Sequence, residues 1–101
     1  MHERRVLRVL LVEPDSTFIR SPTCDLQGIH LDRIKSSQWP AYYSPEKNRC
    51  HDLILLSVSL PEPEARDVAD FFQRSKVPCK VATCNPEPEP SAKWLKENIA
   101  L

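Results

Sequence analysis

Two nearly unbroken apolar runs stand out along the chain. Val6 to Glu13 (VLRVLLVE) and Asp52 to Leu60 (DLILLSVSL) are leucine or β-branched at most positions. A short continuous apolar run is the signature of a strand buried on both faces, and the second run, the more apolar, is expected as the central strand. Ile29 to Ile34 has a weaker, mixed polarity that predicts an edge strand. Val77 to Cys84 (VPCKVATC) predicts a fourth strand. Helical spacing occupies the intervals. Ala65 to Arg74 puts Ala65, Val68, Phe71 and Phe72 on one face, and Ser91 to Leu101 sets Leu95 and Ile99 four apart with Trp94 beside them. From Asp15 to Gln27 the pattern predicts a kinked or split helix. Asp15 would cap it, Phe18, Ile19 and Leu26 would face inward, Pro22 would interrupt it, and Ser21-Pro22 would restart it. Gly28 would close it in a left-handed conformation.

The breakers define the connections. Ser36 to Arg49 holds Pro40 and Pro45 and is the least regular stretch, with one short helical turn expected at Ser44-Pro45-Glu46. Pro61 to Glu64 reads as a loop, and Asn85 to Pro90 (NPEPEP) as an extended, stiff spacer. One glycine against ten prolines means that proline stiffens the connections. Strands alternating with helices imply a single α/β domain over residues 1–101. Its expected architecture is three-layered, α/β/α, around a mainly parallel sheet of four strands, or five.

Composition narrows the function classes. At 101 residues the chain is one domain, and 14 basic residues balance 14 acidic ones. No basic run is longer than Arg4-Arg5, which disfavours nucleic acid as a partner. No stretch approaches the ~18 apolar residues of a membrane helix. The N-terminus runs straight into an apolar strand with no small-residue cleavage site after it, so a cytoplasmic location is expected. Cys24, Cys50, Cys79 and Cys84 form no C-x-x-C pair and read as reduced thiols. Their spacing gives no support to a metal site built on Cys50, His51 and Cys84. His30 and His51 lack a Cys or Asp at ligand spacing and are expected on the surface or in packing.

Parallel strands place their chemistry at their carboxyl ends. Those ends carry Glu13-Pro14-Asp15, Ser57 and Thr83. Leu10 to Asp15 (LLVEPD) resembles the first strand and acidic pair of the receiver domain of response regulators. Asp52 to Pro61 (DLILLSVSLP) resembles the receiver's third strand, phosphoacceptor and trailing Leu-Pro, with Ser57 in the acceptor's place. Pro78 to Thr83 (PCKVAT) resembles its fourth strand ending in the switch Thr/Ser. The resemblance covers roughly residues 5 to 84. It implies a flavodoxin-like, CheY-like fold with strand order 2-1-3-4, in a shortened form with one terminal helix.

The family's chemistry is depleted here. A receiver phosphorylates an aspartate with the help of a magnesium ion held by carboxylates. Pro14 takes the place of the second carboxylate and has no ligand group, and Asp15 lies one position late. One carboxylate, Glu13, is too few for magnesium, and a serine without a neighbouring base is a poor nucleophile. The resemblance therefore implies a vestigial phosphoacceptor site at Glu13, Pro14, Asp15, Ser57 and Thr83, with no catalysis, metal or cofactor. The expected function is a phosphorylation-independent protein-interaction module of a two-component or related pathway. Its partner would be a sensor kinase, a transcription regulator or a second copy of the chain, with Trp94, Leu95 and Ile99 as candidate contacts. Two alternatives stand beside it: an unusual phosphoacceptor using Ser57, and a redox-responsive binding module using Cys79 and Cys84 or another pair brought together in space.

Overall fold

A computed structural model describes residues 6–39, 51–83 and 89–99. Its elements in chain order are β1 (Leu7–Glu13), β2 (Thr23–Leu26), β3 (Ile29–Lys35), β4 (Leu53–Ser57), α1 (Glu62–Arg74), β5 (Cys79–Ala82) and α2 (Ala92–Ile99). The sheet order is β2-β3-β1-β4-β5. β1 lies between β3 and β4 and runs parallel to both, β5 extends the parallel block beyond β4, and β2 pairs antiparallel with β3.

This five-stranded mixed sheet differs from the expected four-strand sheet of order 2-1-3-4 by an added strand: the four expected strands lie as β3-β1-β4-β5, and β2 pairs antiparallel outside them. The reason lies between residues 15 and 27, where no helix forms. Thr23-Cys24-Asp25-Leu26 alternates polar and apolar, and Gln27-Gly28 follows as a two-residue turn with both φ angles positive, +47° and +84°. That conformation closes a tight hairpin whose twist matches its strands. Leu26 and Ile29 flank the turn as a cross-strand pair, so the register leaves no residue over. Gly28 thus serves a hairpin and not a helix end. β3, expected at the edge, becomes an inner strand.

The two faces of the sheet hold separate cores. Leu10, Val12, Ile34, Ile54 and Leu56 pack against Val68 and Phe72 of α1, joined by Trp39, Ala65, Phe71 and Val77. On the other face Val9, Leu11, Ile29, Leu31, Leu53, Leu55 and Ala82 pack against Trp94 and Leu95 of α2. A fully buried side chain such as Phe72 or Leu95 contributes roughly 1.5–3 kcal/mol. Each face is therefore covered by a described helix, which gives three layers.

α1 begins at Glu62, inside the Pro61–Glu64 stretch expected as a loop. A proline in the first turn lacks only an N–H that has no partner there anyway, and Glu62 and Glu64 suit the positive end of the helix dipole. α1 ends in a Schellman turn. Lys76 N–H reaches the Gln73 carbonyl, Val77 N–H reaches that of Phe72, and Lys76 takes a φ of +60°. No helix among the described residues is long and apolar enough to cross a membrane. The turn expected at Ser44, together with Tyr42, Tyr43, Cys50, Cys84 and most of the Asn85–Pro90 spacer, lies outside the described residues.

Candidate functional site

Glu13 and Ser57 end adjacent parallel strands, each one residue past the pair Val12↔Leu56. Thr83 follows Ala82, the partner of Ser57. The three residues thus line one edge of the sheet, yet no hydrogen bond among the described residues joins them. Each is engaged elsewhere.

Glu13 shares a sheet face with Arg33, because alternation puts Val9, Leu11 and Glu13 of β1 beside Leu31 and Arg33 of β3. The Arg33 side chain is 2% exposed. Its Nε and Nη2 both donate to Glu13 Oε2, at 2.8 and 2.7 Å, and its Nη1 donates to Glu89 Oε2 at 2.8 Å. Glu13, expected in a vestigial phosphoacceptor site, has a carboxylate that is mostly buried and neutralised by an internal cation. Burial pushes the Glu13 carboxyl above its ordinary range, Arg33 pulls it back, and Glu89 pushes it up again.

Asp15 caps no helix. Its Oδ1 accepts the Ser37 N–H at 3.0 Å and faces the Ser36 hydroxyl at 3.3 Å, tying the end of β1 to the turn after β3. The hydrogen bonds from Ser37 hold its carboxyl below the usual value. Ser36 Oγ also faces Glu64 Oε2 at 3.1 Å; its single proton satisfies one of the two carboxylates at a time. Pro14 contributes only its carbonyl, to Thr17. Ser57 Oγ accepts the Ser59 N–H at 3.2 Å, closing the turn after β4. Thr83 presents its N–H and hydroxyl to Asn98 Oδ1 at 2.8 and 3.2 Å, docking the end of β5 on α2.

Of the expected partner contacts, Trp94 and Leu95 face the sheet and are buried in its core, while Ile99 is half-buried against it. Among the described residues, apolar side chains that reach solvent toward the carboxyl edge include Phe18, in the β1–β2 connection, Val58, just after β4, and Val81, next to last in β5.

A second polar centre, missed by the sequence reading, lies on the α1 face toward the amino ends of the strands. Asp32 Oδ2 accepts from His51 Nε2 at 2.7 Å, and its Oδ1 faces Thr23 Oγ1 at 3.0 Å and His30 Nε2 at 3.2 Å. His30 Nδ1 continues to Asp25 Oδ1 at 2.8 Å. The chain of groups runs from His51, 0% exposed, to Asp25, 82% exposed, beside a cavity of about 250 Å³ lined by Val6, Arg8, Asp25 and His30. An ionised Asp32 can only accept, so neutral His51 carries its proton on Nε2. Burial pulls His51 below its ordinary pKa, Asp32 opposes this, and Arg8 and His30 add to it. Both histidines, expected without acidic partners, thus converge on one aspartate. The available signal was parity: His30 and Asp32 are two apart on one strand and so share a face.

Among the described residues no group of three or more His, Cys, Asp or Glu side chains is placed to hold a metal ion. No family model, curated protein or solved structure matches this chain.

Proposed function

We propose that the chain is a receiver-like signalling module that works by binding a protein partner and not by phosphorylation. The observation that carries this reading is the Glu13–Arg33 pair, at 2.7–2.8 Å. The one carboxylate that the receiver resemblance assigns to a cation site already has a cation. A divalent ion would have to displace a buried guanidinium that has one other carboxylate, Glu89, to pair with, and breaking such a pair is strongly unfavourable. The remaining groups of the edge support the same view. Ser57 Oγ closes a turn with Ser59, and no described histidine or carboxylate is bonded to it as a base.

The exposed Phe18 and Val58 give the carboxyl edge an apolar character suited to a protein surface. The redox alternative finds no support at the described thiols: burial pushes Cys24 and Cys79 above the ordinary thiol pKa, away from the reactive thiolate.

The test is incubation with acetyl phosphate, and separately with beryllofluoride, each with magnesium. The expected result is an unchanged mass and unchanged amide spectra. A phosphoryl group on Ser57, or magnesium bound at micromolar affinity beside Glu13, overturns the reading.

A further inference from the structure

We propose that the Arg33 guanidinium is a carboxylate-binding site which the chain fills with its own Glu89, and that an acidic segment of a protein partner binds by taking the place of Glu89. The inference extends the interaction reading to the chemistry of the partner. It can be tested with no partner present, so its failure is distinct from a failure of the phosphorylation test.

A guanidinium with 2% of its side chain exposed must be paired, because a lone charge in that setting is prohibitively unfavourable. Its two carboxylates are not equivalent. Glu13 ends β1, a strand paired on both sides, and takes two of the Arg33 nitrogens through one oxygen. Glu89 comes from 56 residues away, belongs to no helix or strand, is 36% exposed and takes only Nη1. Its sequence neighbours Pro88 and Pro90 have no N–H with which to anchor the backbone. Glu89 is therefore the exchangeable ligand and Glu13 the fixed one.

Charge decides between exchange and addition. Two carboxylates on one guanidinium leave one negative charge in excess, so a third carboxylate enters only when Glu89 leaves. A tethered group of this kind acts at an effective concentration on the order of millimolar. Free carboxylate at lower concentration does not displace it, whereas a partner with additional contacts does.

The experiment uses the full chain. In E89A, acetate should raise the melting temperature above that in chloride of equal ionic strength. The rise should be about 3–6 °C with acetate at roughly three times its dissociation constant. The Arg33 Nε–Hε resonance should shift saturably in the same titration, a readout that does not depend on an arginine variant folding. The wild type should show neither effect, and the acetate-specific stabilisation should vanish in R33M/E89A. A PEPEP peptide, the sequence of residues 86–90, should bind E89A at least tenfold more tightly than the wild type. Equal stabilisation by acetate and chloride in E89A overturns the site, as does an acetate effect that survives loss of Arg33. Equal peptide affinity for E89A and the wild type overturns the exchange.

Discussion

Replacing Asp32 with alanine should be the most damaging single polar substitution on the α1 face. The carboxylate is 8% exposed and serves at least three donors: His51, Thr23 and His30. Thr23 is exposed and His30 partly so, and water can take over their hydrogen bonds. Each of those two losses costs about 0.5–1.5 kcal/mol. His51 is different. Its side chain is fully enclosed, so losing the 2.7 Å bond to Asp32 inside the protein costs about 1–3 kcal/mol. These losses come to about 2–6 kcal/mol, a range that brackets the usual cost of about 3–5 kcal/mol for breaking a buried polar pair from one side.

Against a total stability of about 5–15 kcal/mol for a domain, that is a large fraction. Asp32→Asn tests the cause. The amide keeps the shape and an acceptor, and His51 can switch tautomer to accept from the amide, so the expected loss is about 1–2 kcal/mol. Urea unfolding followed by circular dichroism measures both, with an unchanged m-value as the sign that only stability moved. The melting temperature should fall about 4–8 °C per kcal/mol. A loss below about 1 kcal/mol for the alanine variant, or equal losses for both variants, would show that the Asp32 carboxylate does not hold these donors in place.

Three further outcomes follow from the same geometry. His51 has a folded-state pKa below its unfolded value of 6.5, so its contribution is fully present above that pH and is lost as pH falls through it. Urea titrations between pH 7.5 and 5 should show stability falling with a slope of up to about 1.4 kcal/mol per pH unit, and His51→Gln should flatten that slope. Gly28→Ala should cost about 1–2 kcal/mol. A Cβ there meets nothing within 4 Å, so the loss measures the left-handed backbone alone. Lys76→Gly should gain about 1 kcal/mol for the converse reason, with calorimetry as the readout for both.

Where burial on both faces dictated the pattern, the sequence was easy to read. β1 and β4 are apolar at nearly every position because β-neighbours flank them and helices cover them. The α1 face of Ala65, Val68 and Phe72 follows the helical period for the same reason. The misreading of residues 15 to 27 was a contest between two periods. Phe18, Ile19 and Leu26 fit a helix loosely, while the true signal was four alternating residues before a turn. Only the pairing of Thr23 and Asp25 with Asp32 and His30 makes that short alternation decisive, and those partners lie downstream in the chain. At the candidate site the residues at the carboxyl edge were foreseen but their partners were not. Arg33 and Glu89 are 20 and 76 positions from Glu13, and nothing local in either marks it as a counterion.

Asp32 and Arg33 are consecutive and both buried, in a strand with a neighbour on each side. Such a pair in an edge strand would be solvated; here alternation sends the two charges to opposite faces. Asp32 meets the histidines on the α1 side, and Arg33 meets the glutamates on the α2 side. Each charge is thereby neutralised by a different part of the chain, and the hairpin strand β2 is fastened to β3 by the polar pairs Thr23–Asp32 and Asp25–His30. A one-residue slip of β3 would place the aspartate among the apolar residues under α2 and the guanidinium under α1, with neither counterion in reach. The two charges therefore fix the register of the strand. The same register brings Arg33 to the carboxyl edge beside Glu13, so the residue that locks the strand is also the one that neutralises the carboxylate at the end of β1.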